Sequence, residues 1–233
     1  MRRFTVVLAD IDGTLLHADG AGRRAFQTAF RETFSVGADL AKVDFAGATD
    51  LGILAGLLAS DGRALSREDV ARFFERLERD LAEALAGATV TAVPGASPLV
   101  RKLTGRSDVA LGLLTGNARR CARLKLAAAG FDPGWFRFGG YGDEFADRCD
   151  IARAAVDRAP APAGVRRTFC VLGDTPADVG AARAIGARAL TVAGVRFSRV
   201  DLVRAGADLV VDDLNDTNGL EAWICEEGGR ERP

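Results

Sequence analysis

Apolar positions fall along this chain in two patterns. Short stretches at 4–9, 109–114, 169–172, 189–192 and 209–211 are almost wholly apolar rather than alternating. Runs of that kind predict strands covered on both faces, as in a parallel sheet. A fainter strand signal lies near 136–139. Between them, apolar residues recur every three or four positions over 97–103, 119–129, 150–159 and 177–185, which predicts amphipathic helices. Strands that alternate with helices imply βαβ units and an α/β, doubly wound, Rossmann-like parallel sheet.

One interval departs from that rhythm. From the first strand to Val109 no strand signal occurs, while helical patterns run over roughly 22–35, 50–60 and 66–87. The last carries Val70, Phe73, Phe74, Leu77, Leu81 and Leu85 as one stripe, and Ser66 with Asp69 supplies an N-cap and a first-turn acid. Residues 17–88 are therefore read as an inserted α-helical domain, with 1–16 and 89–233 as the core and Pro94-Gly95 marking the return to it. The charged, glycine-containing stretch 226–233 is expected to fray.

Composition narrows the function classes. A formal charge of -1 gives no reason to expect a nucleic acid or an anionic membrane as partner. The apolar run after the basic start is cut short by Asp10 and Asp12, so neither a secretory signal nor a membrane span is expected. Cys121, Cys149, Cys170 and Cys225 form no CxxC pair and suit isolated thiols in a reducing compartment. A cytoplasmic protein, monomeric or weakly dimeric, is expected. Its basic residues are almost all Arg, with Lys only at 42, 102 and 125.

Three apolar strands run into polar residues: Asp10-Ile11-Asp12-Gly13-Thr14, Thr115-Gly116-Asn117, and Gly173-Asp174-Thr175-Pro176-Ala177-Asp178. Ligands of doubly wound sheets bind at the carboxyl ends of strands, so the three point to a single site. Asp10, Asp12, Asp174 and Asp178 offer the oxygen ligands that Mg²⁺ prefers. A cation that offsets their repulsion could also hold a phosphate against a carboxylate.

The stretch Asp-Ile-Asp-Gly-Thr-Leu at 10–15 resembles the first motif of the haloacid dehalogenase superfamily. Thr115 resembles its second motif and Gly-Asp-Thr-Pro-Ala-Asp at 173–178 its fourth. The helical insertion after the first strand is similar to the cap of the phosphoglycolate-phosphatase and β-phosphoglucomutase branch. The resemblance implies that Asp10 attacks phosphorus to form an aspartyl phosphate. It implies that Asp12 protonates the leaving alkoxide and then deprotonates water. Mg²⁺ would be bound by the carboxylates of Asp10 and Asp174 and the main-chain carbonyl of Asp12, with Asp178 as a further ligand or outer acceptor. Thr115 and Gly116 would hydrogen-bond the phosphoryl group, Asn117 would face the leaving group, and Thr49, in Gly47-Ala48-Thr49-Asp50, would reach the site from the cap. Capping of the following helix is an equal alternative for Thr49.

The family's third motif is a cation, usually Lys, between motifs two and four. No Lys follows Lys125, so Arg must substitute, and Arg148, just ahead of the helix near Asp150, is the choice over Arg153 and Arg158. The lone His17 reads as an exposed linker residue. The implied substrate is a small phosphorylated metabolite, phosphoglycolate or a sugar phosphate. A phosphomutase of the β-phosphoglucomutase type shares every core motif. Dehalogenation is disfavoured by the acid at Asp12, and phosphonate hydrolysis by Asp12 and by Lys42 being the one Lys of the insertion. A receiver-like phosphoacceptor needs no lid, and no GxGxxG follows the first strand to suggest a dinucleotide module.

Overall fold

The computed structural model describes residues 2–34 and 43–226; Lys42 and most of the 226–233 stretch lie outside them. Six strands form one parallel sheet: β1 (Arg2–Ala9), β4 (Val109–Leu114), β5 (Gly139–Gly140), β6 (Val165–Gly173), β7 (Arg188–Val192) and β8 (Leu209–Val211), in the order β5-β4-β1-β6-β7-β8. The helices between them are α4 (Ala96–Thr104), α5 (Arg119–Ala128), α6 (Arg148–Arg158), α7 (Pro176–Ala184), α8 (Arg199–Ala205) and α9 (Thr217–Cys225). Because α4, α5 and α9 cover one face and α6 and α7 the other, neighbouring strand residues bury in opposite directions. Val7, Ala9, Leu113 and Leu172 join one apolar cluster; Val6, Leu8, Leu114 and Val171 join the second. That two-sided burial is why the strands read as continuous apolar runs.

The faint signal near 136–139 resolves differently. Phe136 and Phe138 are buried, but only Gly139–Gly140 pairs with β4. Phe136 ends a 3₁₀ turn at Pro133–Trp135, so its apolar character reflects packing rather than strand pairing.

Between β1 and β4 the chain forms α1 (Ala21–Phe34), α2 (Asp50–Ser60) and α3 (Arg67–Ala86). A two-stranded antiparallel ribbon, β2 (Leu16–His17) against β3 (Thr91–Ala92), ties together the points where the chain leaves and returns. Ser66 and Asp69 form a reciprocal capping box at the start of α3. Phe26 and Phe30 of α1 pack against Phe73, Leu77 and Leu81 of α3, with the Phe26 and Phe73 rings 4.9 Å apart at 65°. This helical apolar group is continuous with the cluster on the α4–α5 face of the sheet. The insertion is thereby seated on the core through apolar contact as well as through the ribbon. Among the described residues no helix is long and apolar enough to cross a membrane.

Candidate active site

Strand register brings the polar segments together. Ala9 pairs with Leu113 on one side and with Leu172 on the other, so Asp10, Thr115 and Asp174 leave the sheet at the same end. The Asp10 N–H donates to the Leu172 carbonyl at 2.9 Å, fixing the chain as it exits. Gly13 then turns with φ of 81°, and a Cβ there would stand 2.2 Å from Asp174 Oδ2. Only glycine allows both the turn and the close approach of that carboxylate. Gly173 allows the same close approach for Asp178, whose Cγ would lie 2.3 Å from an added Cβ.

The nucleophile candidate is enclosed by charge. Asp10 is buried, and Arg148 Nη2 lies 3.0 Å from its Oδ2. Arg148 opens α6 and is itself buried, and its Nε and Nη2 both donate to Asp178 Oδ1, at 3.1 and 2.6 Å. Arg153 and Arg158 face away, pairing with Asp150 and Glu144. Asp178 Oδ2 accepts from the Thr175 N–H and hydroxyl and from the Asp174 N–H, completing a capping box at α7. Carboxylate oxygens of Asp10, Asp174 and Asp178 lie within 4.8 Å of one another.

Three carboxylates here share one guanidinium, and the imbalance is visible in their protonation. Burial pushes Asp10 up to about 6; Arg148 pulls it down, while Asp178 and Asp12 push it up. Asp174 rises to about 8 through burial and the repulsion of Asp178 and Asp10, and the Thr14 hydroxyl, donating at 3.1 Å, offsets this only in part. Arg148 is held firmly cationic, because Asp10 and Asp178 outweigh the burial that opposes its charge. A group of carboxylates with excess negative charge and hard oxygen donors fits a divalent cation such as Mg²⁺. Both Asp178 oxygens are already engaged by Arg148 and by α7, which leaves Asp10 and Asp174 as the freer donors.

Asp12 has different partners. Lys125 Nζ and Asn117 Nδ2 both donate to its Oδ2, at 2.6 and 2.7 Å, and Lys125 also donates to Asn117 Oδ1 at 2.6 Å. Although enclosed by protein, Asp12 keeps 46% of its side chain open to the cavity. Burial raises its pKa, but Lys125 and then Asn117 outweigh that effect, so it stays below the ordinary carboxylate range. The wholly buried Thr115 hydroxyl accepts from the Asn117 main-chain N–H and from Nδ2. Asp10, Asp12, Gly116, Asn117 and Lys125 line a cavity of about 300 Å³, bounded on the insertion side by Phe45, Ile53, Leu77 and Leu81, whereas Thr115 lies behind its wall.

The insertion meets the core at this cavity through α2. The Asp50 N–H donates to Gly116 O and the Leu51 N–H to Gly142 O, both at 2.8 Å, and Asp50 Oδ2 accepts from the Ala118 N–H at 2.7 Å. Burial brings the Asp50 carboxyl to about 6. Thr49 is not among the cavity residues: its hydroxyl accepts from the Gly52 N–H, capping α2, and donates to Ala146 O. Of its two sequence readings, the capping one describes its position. His17 is exposed on the ribbon.

The sequence model for haloacid dehalogenase-like hydrolases matches residues 7–183, spanning all three polar strand ends and Arg148. The chain belongs to this family. A HAD-hydrolase-like model also matches residues 150–217 of this haloacid dehalogenase-like hydrolase. No curated protein matches its sequence. Solved structures share its fold. A hydrolase from Pseudomonas syringae is 22% identical with a TM-score of 0.69, over 96% of this chain and 100% of that one. CbbY from Rhodobacter sphaeroides, solved with phosphate, is 20% identical with a TM-score of 0.66, over 91% and 95%. A mutant of the same CbbY, solved with xylulose-(1,5)bisphosphate, is 22% identical with the same TM-score of 0.66 and the same coverage. A HAD hydrolase of family IA, variant 3, from Entamoeba histolytica is 18% identical with a TM-score of 0.63, over 91% and 94%.

Sequence reasoning about this hydrolase missed Lys125. A signal was present, since Lys125 sits four residues after Cys121 and beside Leu126, on the buried side of α5. A lysine on the apolar face of a helix, in a chain with three lysines, is an outlier that predicts a buried carboxylate partner.

Proposed function

We propose that this hydrolase cleaves small phosphomonoesters with Mg²⁺, through an aspartyl phosphate on Asp10. The observation that carries the reading is the separate surroundings of two carboxylates only two positions apart in the chain. Asp10 faces Arg148 and the acidic group, whereas Asp12 faces Lys125, Asn117 and the open cavity. The first is arranged to attack phosphorus and the second to exchange a proton with what leaves. Binding of phosphate and of a sugar bisphosphate by CbbY accords with this reading.

Asp10, Asp174 and the Asp12 main-chain carbonyl would hold Mg²⁺, with Asp178 behind them, and the cation would supply positive charge against the phosphoryl oxygens. An Asp10 carboxylate oxygen bonds to phosphorus as the ester P–O bond breaks. Asp12, kept ionised by Lys125 and Asn117 in the free protein, takes up a proton as the phosphomonoester enters and gives it to the departing alkoxide. Water then passes a proton back to Asp12 and attacks the acyl phosphate, releasing inorganic phosphate and restoring Asp10. Arg148, together with the Thr115 hydroxyl and the Gly116 N–H, steadies the transferring group. A cavity of about 300 Å³ confines the substrate to a small metabolite.

The test is phosphate release from a panel of phosphorylated metabolites with and without Mg²⁺, alongside Asp10→Asn. Turnover should require the cation and vanish in the variant while the fold persists. An Asp10→Asn variant within about tenfold of wild type would overturn the nucleophile assignment.

A further inference from the structure

We infer that Lys125 is a positioning residue that clamps the Asp12 carboxylate for proton transfer to the leaving group. The inference rests on the phosphomonoesterase reading of the site. Its basis is a cross-braced pair of donors. Lys125 Nζ and Asn117 Nδ2 converge on one oxygen of Asp12, Oδ2, from 2.6 and 2.7 Å. The two donors are themselves joined, since Lys125 Nζ also donates to Asn117 Oδ1 at 2.6 Å. Asn117 Nδ2 is anchored in turn on Thr115 Oγ1 at 2.8 Å. Two cross-braced donors hold Oδ2 in place, which leaves Oδ1 as the oxygen to meet a substrate.

The clamp is built from distant parts of the chain. Asp12 follows β1, Asn117 follows β4 and Lys125 lies at the end of the second turn of α5. The Lys125 side chain is 6% exposed, against 46% for Asp12, so at the cavity wall it offers a substrate far less surface than the carboxylate it holds. The α1 helix closes over it at Gly22, where an added Cβ would lie 2.9 Å from Nζ. Burying an ammonium is costly unless it is paired and hydrogen-bonded, and both conditions are met here. A catalytic group held within a narrow range of orientations reacts faster than one that must be fixed in the transition state.

A clamp on the proton donor has a kinetic signature that general destabilisation lacks. Expulsion of an alkoxide needs the proton, whereas expulsion of p-nitrophenolate scarcely does. Lys125→Met should therefore lower kcat/KM for ethyl phosphate by ~10-fold or more beyond its effect on p-nitrophenyl phosphate. Its effect on ethyl phosphate should fall on kcat, with KM close to wild type. Lys125→Arg should recover part of the ratio, and Asn117→Ala should disturb it in the same direction. Combining Lys125→Met with Asn117→Ala should cost less than the product of the single effects, because one clamp is removed twice. Equal loss on both esters would overturn the inference while sparing the phosphatase reading. So would an effect confined to KM, which would make Lys125 a substrate ligand. If Lys125→Met fails to fold, Lys125→Arg and Asn117→Ala still decide the question through the same ratio. Wild-type protein that releases phosphate from neither ester with Mg²⁺ would overturn the phosphatase reading and the clamp together.

Discussion

Replacing Arg148 with Ala should separate stability from activity in a measurable way. The side chain is 7% exposed and its guanidinium contacts Asp178 Oδ1 twice, at 2.6 and 3.1 Å, and Asp10 Oδ2 at 3.0 Å. Its loss leaves two buried carboxylates without their counter-cation. Removing one partner of a buried ion pair costs about 3–5 kcal/mol, and at this chain length that lowers Tm by roughly 6–20 °C. The same change removes the cation proposed to steady the transferring phosphoryl group and should reduce kcat ~10²-fold or more. Adding Asp178→Asn relieves part of the uncompensated charge, so the double variant should regain melting temperature but not turnover. Arg148→Lys should restore some activity, because charge returns without the planar fork that reaches both acids at once. Thermal melts and steady-state kinetics on the four proteins are sufficient. An Arg148→Ala protein that melts with wild type and turns over within about tenfold of it would refute the reasoning.

Asp174→Ala should abolish Mg²⁺ binding measured by calorimetry, and unchanged binding would move the cation elsewhere. Metal-free protein should lose stability as pH rises from about 4 towards 8, because folded Asp174, pushed up to about 8, keeps a proton that the unfolded chain gives up. Added Mg²⁺ should therefore raise Tm more at pH 8 than at pH 5, and a pH-independent increment would contradict this. Gly13→Ala should be destabilised and slow, since the φ of 81° and the contact with Asp174 both resist a side chain; near-wild-type melting and turnover would show that the turn tolerates one.

Much of the fold was legible because two-sided burial writes itself as unbroken apolar runs. The strands predicted at 109–114 and 209–211 match the observed bounds, and α2 matches at 50–60. The β2–β3 ribbon was not legible, since two residues per strand leave no periodicity to read. The short helix α8 is in part exposed, with Val200 and Val203 facing solvent, and so carries no apolar stripe. At the site, the acids following β1 and β6 announced themselves by position, and Arg148 by its place at the start of α6. Lys125 did not, because the residue it serves is more than a hundred positions away and only the folded sheet brings them together.

The bonds by which α2 grips the core bear on more than shape. Asp50 and Leu51 donate to the carbonyls of Gly116 and Gly142, while the Asp50 carboxylate takes up the N–H of Ala118. Gly116 is so close to the insertion that a methyl group on it would lie 2.0 Å from the Ala48 carbonyl. Any swing of the insertion away from the sheet must therefore strip partners from the segment between Thr115 and Ala118. Admission of one molecule and departure of another would then be timed by the same few bonds that shape the loop after β4.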